Sequence, residues 1–138
     1  MSDCLFCSIA SGATPGFVVA ETPTAAAFLD IRPVFKGHVL VVPKAHIVTL
    51  SDLDPADIPD YFGFVQRVTR AVETGLSAGG SFVAINNRVS QSVAHLHTHV
   101  VPRTKGDGLR GFFWPRTKYD SDDEALSYAE KISAVMSS

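Results

Sequence analysis

The sequence predicts an α+β domain in which a mainly antiparallel five-stranded sheet carries one long helix and short terminal helices. Two observations lead to this class. Three short β-like segments follow one another early in the chain, and a long amphipathic segment comes directly after them. Consecutive short strands are joined most simply as hairpins and therefore pair antiparallel. The chain has 138 residues and 46% apolar composition, so residues 1–138 are expected to form a single domain with its own core.

The first third of the chain supplies a short helix and three strands. Residues 4–11 are predicted to be helical, and Gly12 ends that segment. Residues 17–21 and 24–30 are rich in strand-forming side chains and predict two short strands. Residues 38–43 contain a continuous apolar run, which is typical of a strand that is buried on both faces.

The middle of the chain predicts the long helix, over about residues 57–78. Its start is ambiguous, because either Asp54 (with Pro55 at the first helical position) or Asp57 is a suitable N-cap. Apolar side chains recur at intervals of three and four residues, as on a helix face that packs against a core: Ile58, Phe62, Val65, Val68, Val72 and Leu76.

The last third predicts two further strands and a closing helix. The strands are expected over residues 81–86 and 94–102. The helix is expected over residues 122–136, where Ser121 and Glu124 have the spacing of a capping box.

Three histidines occupy alternate positions in the last predicted strand, at His95, His97 and His99. Alternate residues of a strand point to one face, so the three imidazoles are expected to form a row. Two chemical uses stay open for such a row: chelation of a metal by two imidazoles, or nucleotidyl transfer with one imidazole as nucleophile. Asp and Glu are absent from Ser77 to Gly106, which favours a phosphate ligand over a catalytic metal.

Charge and cysteine content narrow the class of protein. The net charge is -2, so nucleic acid is not expected as a partner. No apolar stretch approaches the ~18–20 residues that span a membrane, and the N-terminus lacks a secretory signal pattern, so a cytoplasmic location is expected. In that setting Cys4 and Cys7, three positions apart, indicate metal or redox chemistry rather than a structural disulfide.

The triad and four other segments of this chain resemble the histidine triad (HIT) superfamily, whose signature is His-φ-His-φ-His-φ-φ with φ apolar. Besides the triad segment, which starts at His95, the resemblance covers Cys4-Leu5-Phe6-Cys7, the segment from Phe28 to Pro33, the run from Gly37 to His46, and Gln91-Ser92-Val93. The sequence departs from the pattern at Thr98, which replaces an apolar residue, and in the short loop at residues 87–90, where Ser90 stands in place of a glycine.

The resemblance implies a role for each residue of the candidate site. His97 would be the nucleophile, His99 would bind and polarise the α-phosphate, and His38 would belong to the same imidazole network. Asp30 would bind the ribose hydroxyls. The remaining substrate contacts would be Asn86, Gln91 and Ser92 at the phosphate, and Phe28 and Ile31 at the base.

The resemblance also implies a structural zinc site and a partner. Members with the same Cys-x-x-Cys start hold zinc with two cysteines and two histidines, which are Cys4, Cys7, His46 and His95 by position. Such a set closes a tetrahedral shell and leaves no open position. Mg²⁺ would enter only with the substrate. The protein would be a homodimer that acts on a purine nucleotide.

The implied activity is cleavage of a nucleoside 5′-phosphoryl bond through a covalent nucleotidyl-histidine intermediate. Adenosine phosphoramidate, a dinucleoside polyphosphate or an acyl adenylate would be the substrate. A phosphorylase or transferase, or a nucleotide-binding regulatory module with negligible turnover, stays open as an alternative.

Plainer alternatives exist for several single residues. His38 suits the start of a strand, Asp30 suits a turn cap, and Phe28 and Ile31 suit the core. The aromatic and basic segment at residues 109–116 is expected to pack on its own domain, and Arg110 or Arg116 would reach the substrate as an alternative.

Overall fold

The computed structural model describes residues 4–109 and 116–136, and these fall into two compact units that divide after Lys105. The first unit holds all the strands and helices described except the closing helix, which belongs to the second. A single domain over residues 1–138 stays a prediction. No described helix has both the length and the apolar character that a membrane crossing requires.

The first unit is built on one five-stranded sheet in which every neighbouring pair is antiparallel. The strands are β1 (Val18–Glu21), β2 (Ala25–Leu29), β3 (Val39–Pro43), β4 (Gly80–Ile85) and β5 (Thr98–Arg103), and their order across the sheet is β1-β2-β3-β5-β4. The predicted α+β class and antiparallel sheet are therefore confirmed.

Two helices cover opposite faces of this sheet. Helix α1 (Leu5–Ala10) packs through Phe6 on one face, against Phe28 and Leu40. Helix α2 (Ile58–Gly75) packs on the other face, against the alternate residues of β2 and β3. The period of two residues along each strand thus assigns neighbouring side chains to different layers.

The start of α2 explains the two candidate caps in the sequence. Asp54 caps a preceding 3-10 turn (Pro55–Asp57), where its carboxylate accepts a hydrogen bond of 2.9 Å from the Ala56 amide. Helix α2 then begins at Ile58, with a proline in its first turn, where no intrahelical amide bond is lost. The helix ends at Gly75, three residues earlier than predicted, and Ser77 has a left-handed φ of 53° in the turn that follows.

The last strand begins later than predicted, and this changes the geometry of the histidines. Strand β4 ends at Ile85, which pairs with Thr98, so residues 94–97 have no partner from β4. They form an irregular segment instead, in which the Leu96 amide donates to the Ile47 carbonyl at 2.6 Å. The prediction of one straight strand through all three histidines was wrong, and only His99 lies on β5.

In the second unit, helix α3 (Asp122–Met136) matches the predicted range. The Ser121 hydroxyl accepts a hydrogen bond from the Glu124 amide at 3.1 Å. The Glu124 carboxylate bonds to the Asp120 amide at 2.7 Å, one residue before the position expected for a capping box.

Candidate active site and metal cluster

His97 is a buried histidine whose imidazole orientation is fixed by the main chain. Its Nδ1 lies 2.7 Å from the carbonyl oxygen of His95. Because a carbonyl only accepts hydrogen bonds, Nδ1 carries the hydrogen, and Nε2 of the neutral ring keeps its lone pair. The ring also contacts Phe6 edge-on, with ring centroids 4.9 Å apart. His97 therefore presents a free nucleophilic nitrogen from a fixed position.

His38 and His99 form a hydrogen-bonded chain whose direction follows from its first donor. The Val34 amide donates to Nδ1 of His38 at 3.1 Å, so Nε2 of His38 carries the hydrogen. That Nε2 donates to Nδ1 of His99 at 3.0 Å, which leaves the hydrogen of His99 on its own Nε2. Among the described residues this buried Nε2 finds no hydrogen-bond partner. A buried donor without a partner is suited to a ligand oxygen.

Burial keeps both His38 and His99 uncharged at neutral pH. It lowers the pKa of His38, although the negative charge of Asp30 opposes the shift. It lowers the pKa of His99 to about 4, and the neighbouring imidazoles of His97 and His38 add to the effect. His99 is therefore a neutral donor rather than a cation over the physiological pH range.

Asp30 lies next to the hydrogen-bonded pair of His38 and His99, but the three residues do not form a metal site. Its Oδ1 accepts from the Arg32 amide at 2.9 Å, and its Oδ2 lies 3.8 Å from Nε2 of His38. Oxygen and nitrogen atoms of Asp30, His38 and His99 are close enough to surround one ion. However, the amide bond to Nδ1 of His38 requires a hydrogen on Nε2, and a protonated nitrogen cannot ligate a metal.

A cavity of about 490 Å³ opens beside these histidines. Six of the predicted site residues line it: His97, His99, Phe28, Asp30, Ile31 and Ser92. Phe28 is only 2% exposed and packs in the core below the cavity, whereas Ile31 is 78% exposed at the rim. The geometry thus brings most of the predicted substrate contacts to one place.

Two predicted substrate contacts lie elsewhere. Gln91 uses both ends of its amide in the protein: Nε2 donates to the Val48 carbonyl at 2.6 Å, and Oε1 accepts from the Arg88 amide at 2.9 Å. Asn86 is exposed just after β4 and does not line the cavity. Gln91 therefore braces the loop before Ser92, and the predicted phosphate contacts of Gln91 and Asn86 stay predictions.

One wall of the cavity was missed from the sequence. It consists of helix α1 and the segment after it, with Leu5, Phe6, Ile9, Thr14, Pro15 and Gly16. The spacing of Leu5 and Ile9 by four residues was the available signal, since it marks one face of a short helix. The partner of that face could not be read from the spacing.

The four predicted zinc ligands lie together at the start of α1. Nδ1 of His95 lies 3.3 Å from the Cys4 sulfur and 3.4 Å from the Cys7 sulfur, and Nδ1 of His46 lies 3.2 Å from the Cys7 sulfur. All four ligand atoms are within 4.8 Å of one another. A tetrahedral zinc ion with normal bond lengths would separate sulfur and nitrogen ligands by about 3.5 Å.

Hydrogen bonds around this cluster prepare its atoms for a metal. Nε2 of His95 is 2.7 Å from the Pro43 carbonyl, so it carries the hydrogen and leaves Nδ1 free as a ligand. The Cys7 amide donates to the Cys4 sulfur at 3.3 Å, which suits a thiolate. Two sulfur and two imidazole ligands fit a closed tetrahedral zinc site.

Residues 110–115 lie outside the described residues, so the expectations for most of the aromatic and basic segment have no structural counterpart. Arg116 is described and is exposed.

Comparison with known proteins agrees with this fold. The family model described as the HIT domain matches residues 11–106. An adenosine 5′-monophosphoramidase of Schizosaccharomyces pombe is 34% identical over 132 residues, which cover 95% of this chain and 96% of that protein. The chain therefore belongs to the HIT domain family.

Two further relatives connect the family to nucleotides and to zinc. The asymmetrical bis(5′-nucleosyl)-tetraphosphatase of S. pombe is 38% identical over 92 residues, which cover 65% of this chain and 50% of that protein. A crystal structure of a zinc-bound histidine triad family protein from Mycobacterium smegmatis has a TM-score of 0.74 and 36% sequence identity, and the match covers 99% of each chain.

Proposed function

We propose that this protein is a nucleotide hydrolase that cleaves a nucleoside 5′-phosphoryl bond with His97 as the nucleophile. The observation that carries the proposal is the pairing of two nitrogen atoms in one cavity: the free Nε2 of His97 and the unpartnered Nε2 hydrogen of His99. The two rings have centroids 5.0 Å apart. The arrangement supplies an electron pair for phosphorus and a neutral donor for a phosphate oxygen.

In the first step the lone pair of His97 Nε2 forms a bond to the α-phosphorus, and the bond to the leaving group breaks with its electron pair. The leaving group takes up a proton from water. In the second step a water oxygen attacks phosphorus, the phosphorus–nitrogen bond breaks, and its electron pair returns to Nε2. A mononucleotide and a proton are released, and His97 regains its starting state.

The other residues of the cavity orient the nucleotide. His99 donates to a phosphate oxygen, and His38 fixes the tautomer of His99 through the hydrogen bond to its Nδ1. Asp30 binds a ribose hydroxyl through Oδ2, since Oδ1 already accepts from the main chain. Ile31 at the rim flanks the base, and the buried ring of Phe28 supports the floor of the cavity. Adenosine phosphoramidate and dinucleoside polyphosphates are the substrates proposed, by analogy with the relatives named above. An acyl adenylate is proposed from the family resemblance alone.

Zinc is proposed as a structural ion held by Cys4, Cys7, His46 and His95. It would supply no reacting group, because four protein ligands leave no site for water or substrate. No step of the reaction is assigned to it. The homodimer, which rests on the family resemblance, and the cytoplasmic location, which was expected from the sequence pattern, are part of the same proposal.

The test is intact-mass analysis of protein that is quenched without acid during turnover of adenosine 5′-phosphoramidate. Wild-type protein should carry a mononucleotide adduct, and His97→Ala should carry none. The variant should lose on the order of 10³ in kcat while it still binds AMP. Near-normal turnover by His97→Ala would refute the covalent route.

A second measurement separates hydrolysis from its alternatives. Bis(5′-adenosyl) tetraphosphate is incubated with and without inorganic phosphate, and the nucleotides are identified. A hydrolase releases AMP in both reactions, whereas a phosphorylase releases ADP from the cleaved adenylyl group when phosphate is present. Binding of AMP without turnover of either substrate would instead identify a regulatory module.

A further inference from the structure

The cluster of Cys4, Cys7, His46 and His95 is connected to the nucleophile by two separate routes. The first route runs through His95, which belongs to the cluster through its side chain and to the active site through its main chain. The His95 ring is held by the Pro43 carbonyl at 2.7 Å, and the His95 carbonyl accepts the hydrogen bond from Nδ1 of His97 at 2.7 Å. Rotation of the His95 main chain would therefore alter the tautomer and direction of His97.

The second route runs through Phe6, which lies between the two cysteines on α1. Its ring is 6% exposed and contacts three rings edge-on: those of His97 at 4.9 Å, Phe28 at 5.4 Å and His95 at 6.2 Å between centroids. Edge-on aromatic contacts are directional, so they hold a neighbouring ring more tightly than an aliphatic side chain does.

Helix α1 is held by Phe6 and, more weakly, by Ile9 and Ala10, which are partly buried against the same apolar cluster. It is six residues long, and a helix of that length is not stable by its own hydrogen bonds. Phe6 is its only buried residue. The contacts of Cys4 and Cys7 with His46 and His95 therefore add an attachment at the start of the helix, where Phe6 lies.

We propose that the Cys/His cluster, once it holds its ion, positions the nucleophile, with Phe6 and the main chain of His95 as positioning residues for His97. The inference rests on the proposed function and adds to it: a site that takes no part in the reaction sets the rate of the nucleophilic step. Loss of the ion releases the start of α1, so that the Phe6 ring withdraws from His97 and the His95 carbonyl no longer selects one tautomer.

The experiment compares zinc-loaded and zinc-free protein, and uses His46→Ala as a ligand variant. His46 is exposed and does not line the cavity, so its removal weakens the cluster without touching the substrate. Metal content is measured directly. We expect kcat to fall on the order of ten-fold or more in zinc-free protein and in His46→Ala, while the dissociation constant of AMP changes less than about three-fold. Zinc added back to the zinc-free wild-type protein should restore its kcat.

A readout independent of activity follows the His97 ring itself. In protein with ¹⁵N-labelled histidine, zinc-loaded wild type should show one His97 tautomer with a hydrogen on Nδ1. Zinc-free protein should show a mixture of the two tautomers. A single unchanged tautomer together with an unchanged kcat after zinc removal would overturn the proposal.

Phe6→Leu tests the second route and has a matched control in Phe62→Leu. Phe62 is a partly buried phenylalanine that packs on the α2 side and makes its ring contact with Tyr61, at 5.2 Å. Phe6→Leu should lower kcat in zinc-loaded protein, whereas Phe62→Leu should lower stability without lowering kcat. Equal kcat for the two variants would contradict the role of Phe6.

Failure of this inference is distinguishable from failure of the proposed function. If wild-type protein forms the nucleotidyl adduct and its kcat is the same with and without zinc, only the positioning role is refuted. If no adduct forms and His97→Ala keeps its turnover, the proposed function fails, whatever the effect of zinc.

Discussion

The free energy of unfolding should depend on pH through His99. Burial, together with the neighbouring imidazoles of His97 and His38, lowers its pKa in the folded protein from 6.5 to about 4, and Asp30 opposes the shift. In the unfolded chain His99 takes up a proton as the pH falls through 6.5, while the folded state stays neutral until about pH 4. The stabilisation is therefore complete above pH 6.5 and is lost progressively between pH 6.5 and about 4.

The size of the effect follows from the two pKa values. Between about pH 7.5 and about pH 5.0, the unfolded state gains close to one proton at His99 and the folded state gains about a tenth of one. Integration over that interval gives a loss of about 2 kcal/mol in unfolding free energy from this one residue. That is a large fraction of the ~5–15 kcal/mol that typically stabilises a domain.

Urea unfolding of wild type and His99→Asn at both pH values measures this contribution. The asparagine oxygen can still accept from Nε2 of His38, so the hydrogen bond to His99 Nδ1 is replaced rather than lost. Chelator is present throughout, so that the proposed zinc site at His46 and His95 does not contribute a pH dependence of its own. When the pH is lowered from the higher to the lower value, the free energy of unfolding of wild type should fall by about 2 kcal/mol more than that of the variant. A difference below about 0.5 kcal/mol would refute the assignment of His99 as a buried neutral donor.

Three further predictions concern the supports of the site. Tyr61→Phe should lower the free energy of unfolding by about 1–3 kcal/mol, because it leaves the Val41 carbonyl and the Thr98 hydroxyl without their partner. In urea unfolding, the double variant Tyr61→Phe with Thr98→Val should lose less than the sum of the two single variants. Ser90→Gly should raise the unfolding free energy by roughly 1 kcal/mol, because Ser90 has a φ of 61°, and Ser90→Ala should give no such gain. Cys4→Ser should lower zinc content, and its melting temperature should no longer fall when chelator is added.

Patterns within single segments predicted most of the fold. The strand-forming composition of residues 24–30, the continuous apolar run in residues 38–43 and the period of three and four in α2 are local, and burial on the two faces of the sheet satisfies them. The start of β5 is not local. It depends on where β4 stops, and the pairing of Ile85 with Thr98 sets that limit. The alternation of histidines therefore predicted a longer strand than the sheet can pair.

In the candidate site, too, some residues could be predicted from the sequence and others could not. Among the residues that line the cavity, His97 and His99 could be predicted from residue type, because aligned imidazoles have few structural uses. Asp30, Phe28 and Ile31 were predicted only from the family resemblance. The wall formed by α1 could not be predicted, because its apolar residues have the same composition as a core helix. Gln91 shows the converse: an amide suits a phosphate and a main-chain carbonyl equally, and only the position of the Val48 carbonyl decides between them.

Thr98 lies between two histidines of the triad segment, but its side chain belongs to the packing against α2. His97 and His99 face α1 and the cavity, whereas Thr98, between them, faces α2. A hydroxyl there is buried completely and needs a partner. Tyr61 donates to the Val41 carbonyl at 2.8 Å, so Thr98 donates to the Tyr61 oxygen at 2.7 Å, and both polar groups are satisfied. The α2 interface thus requires a residue that can be buried at this position, and threonine meets that requirement because Tyr61 satisfies its hydroxyl, without altering the face that carries the histidines.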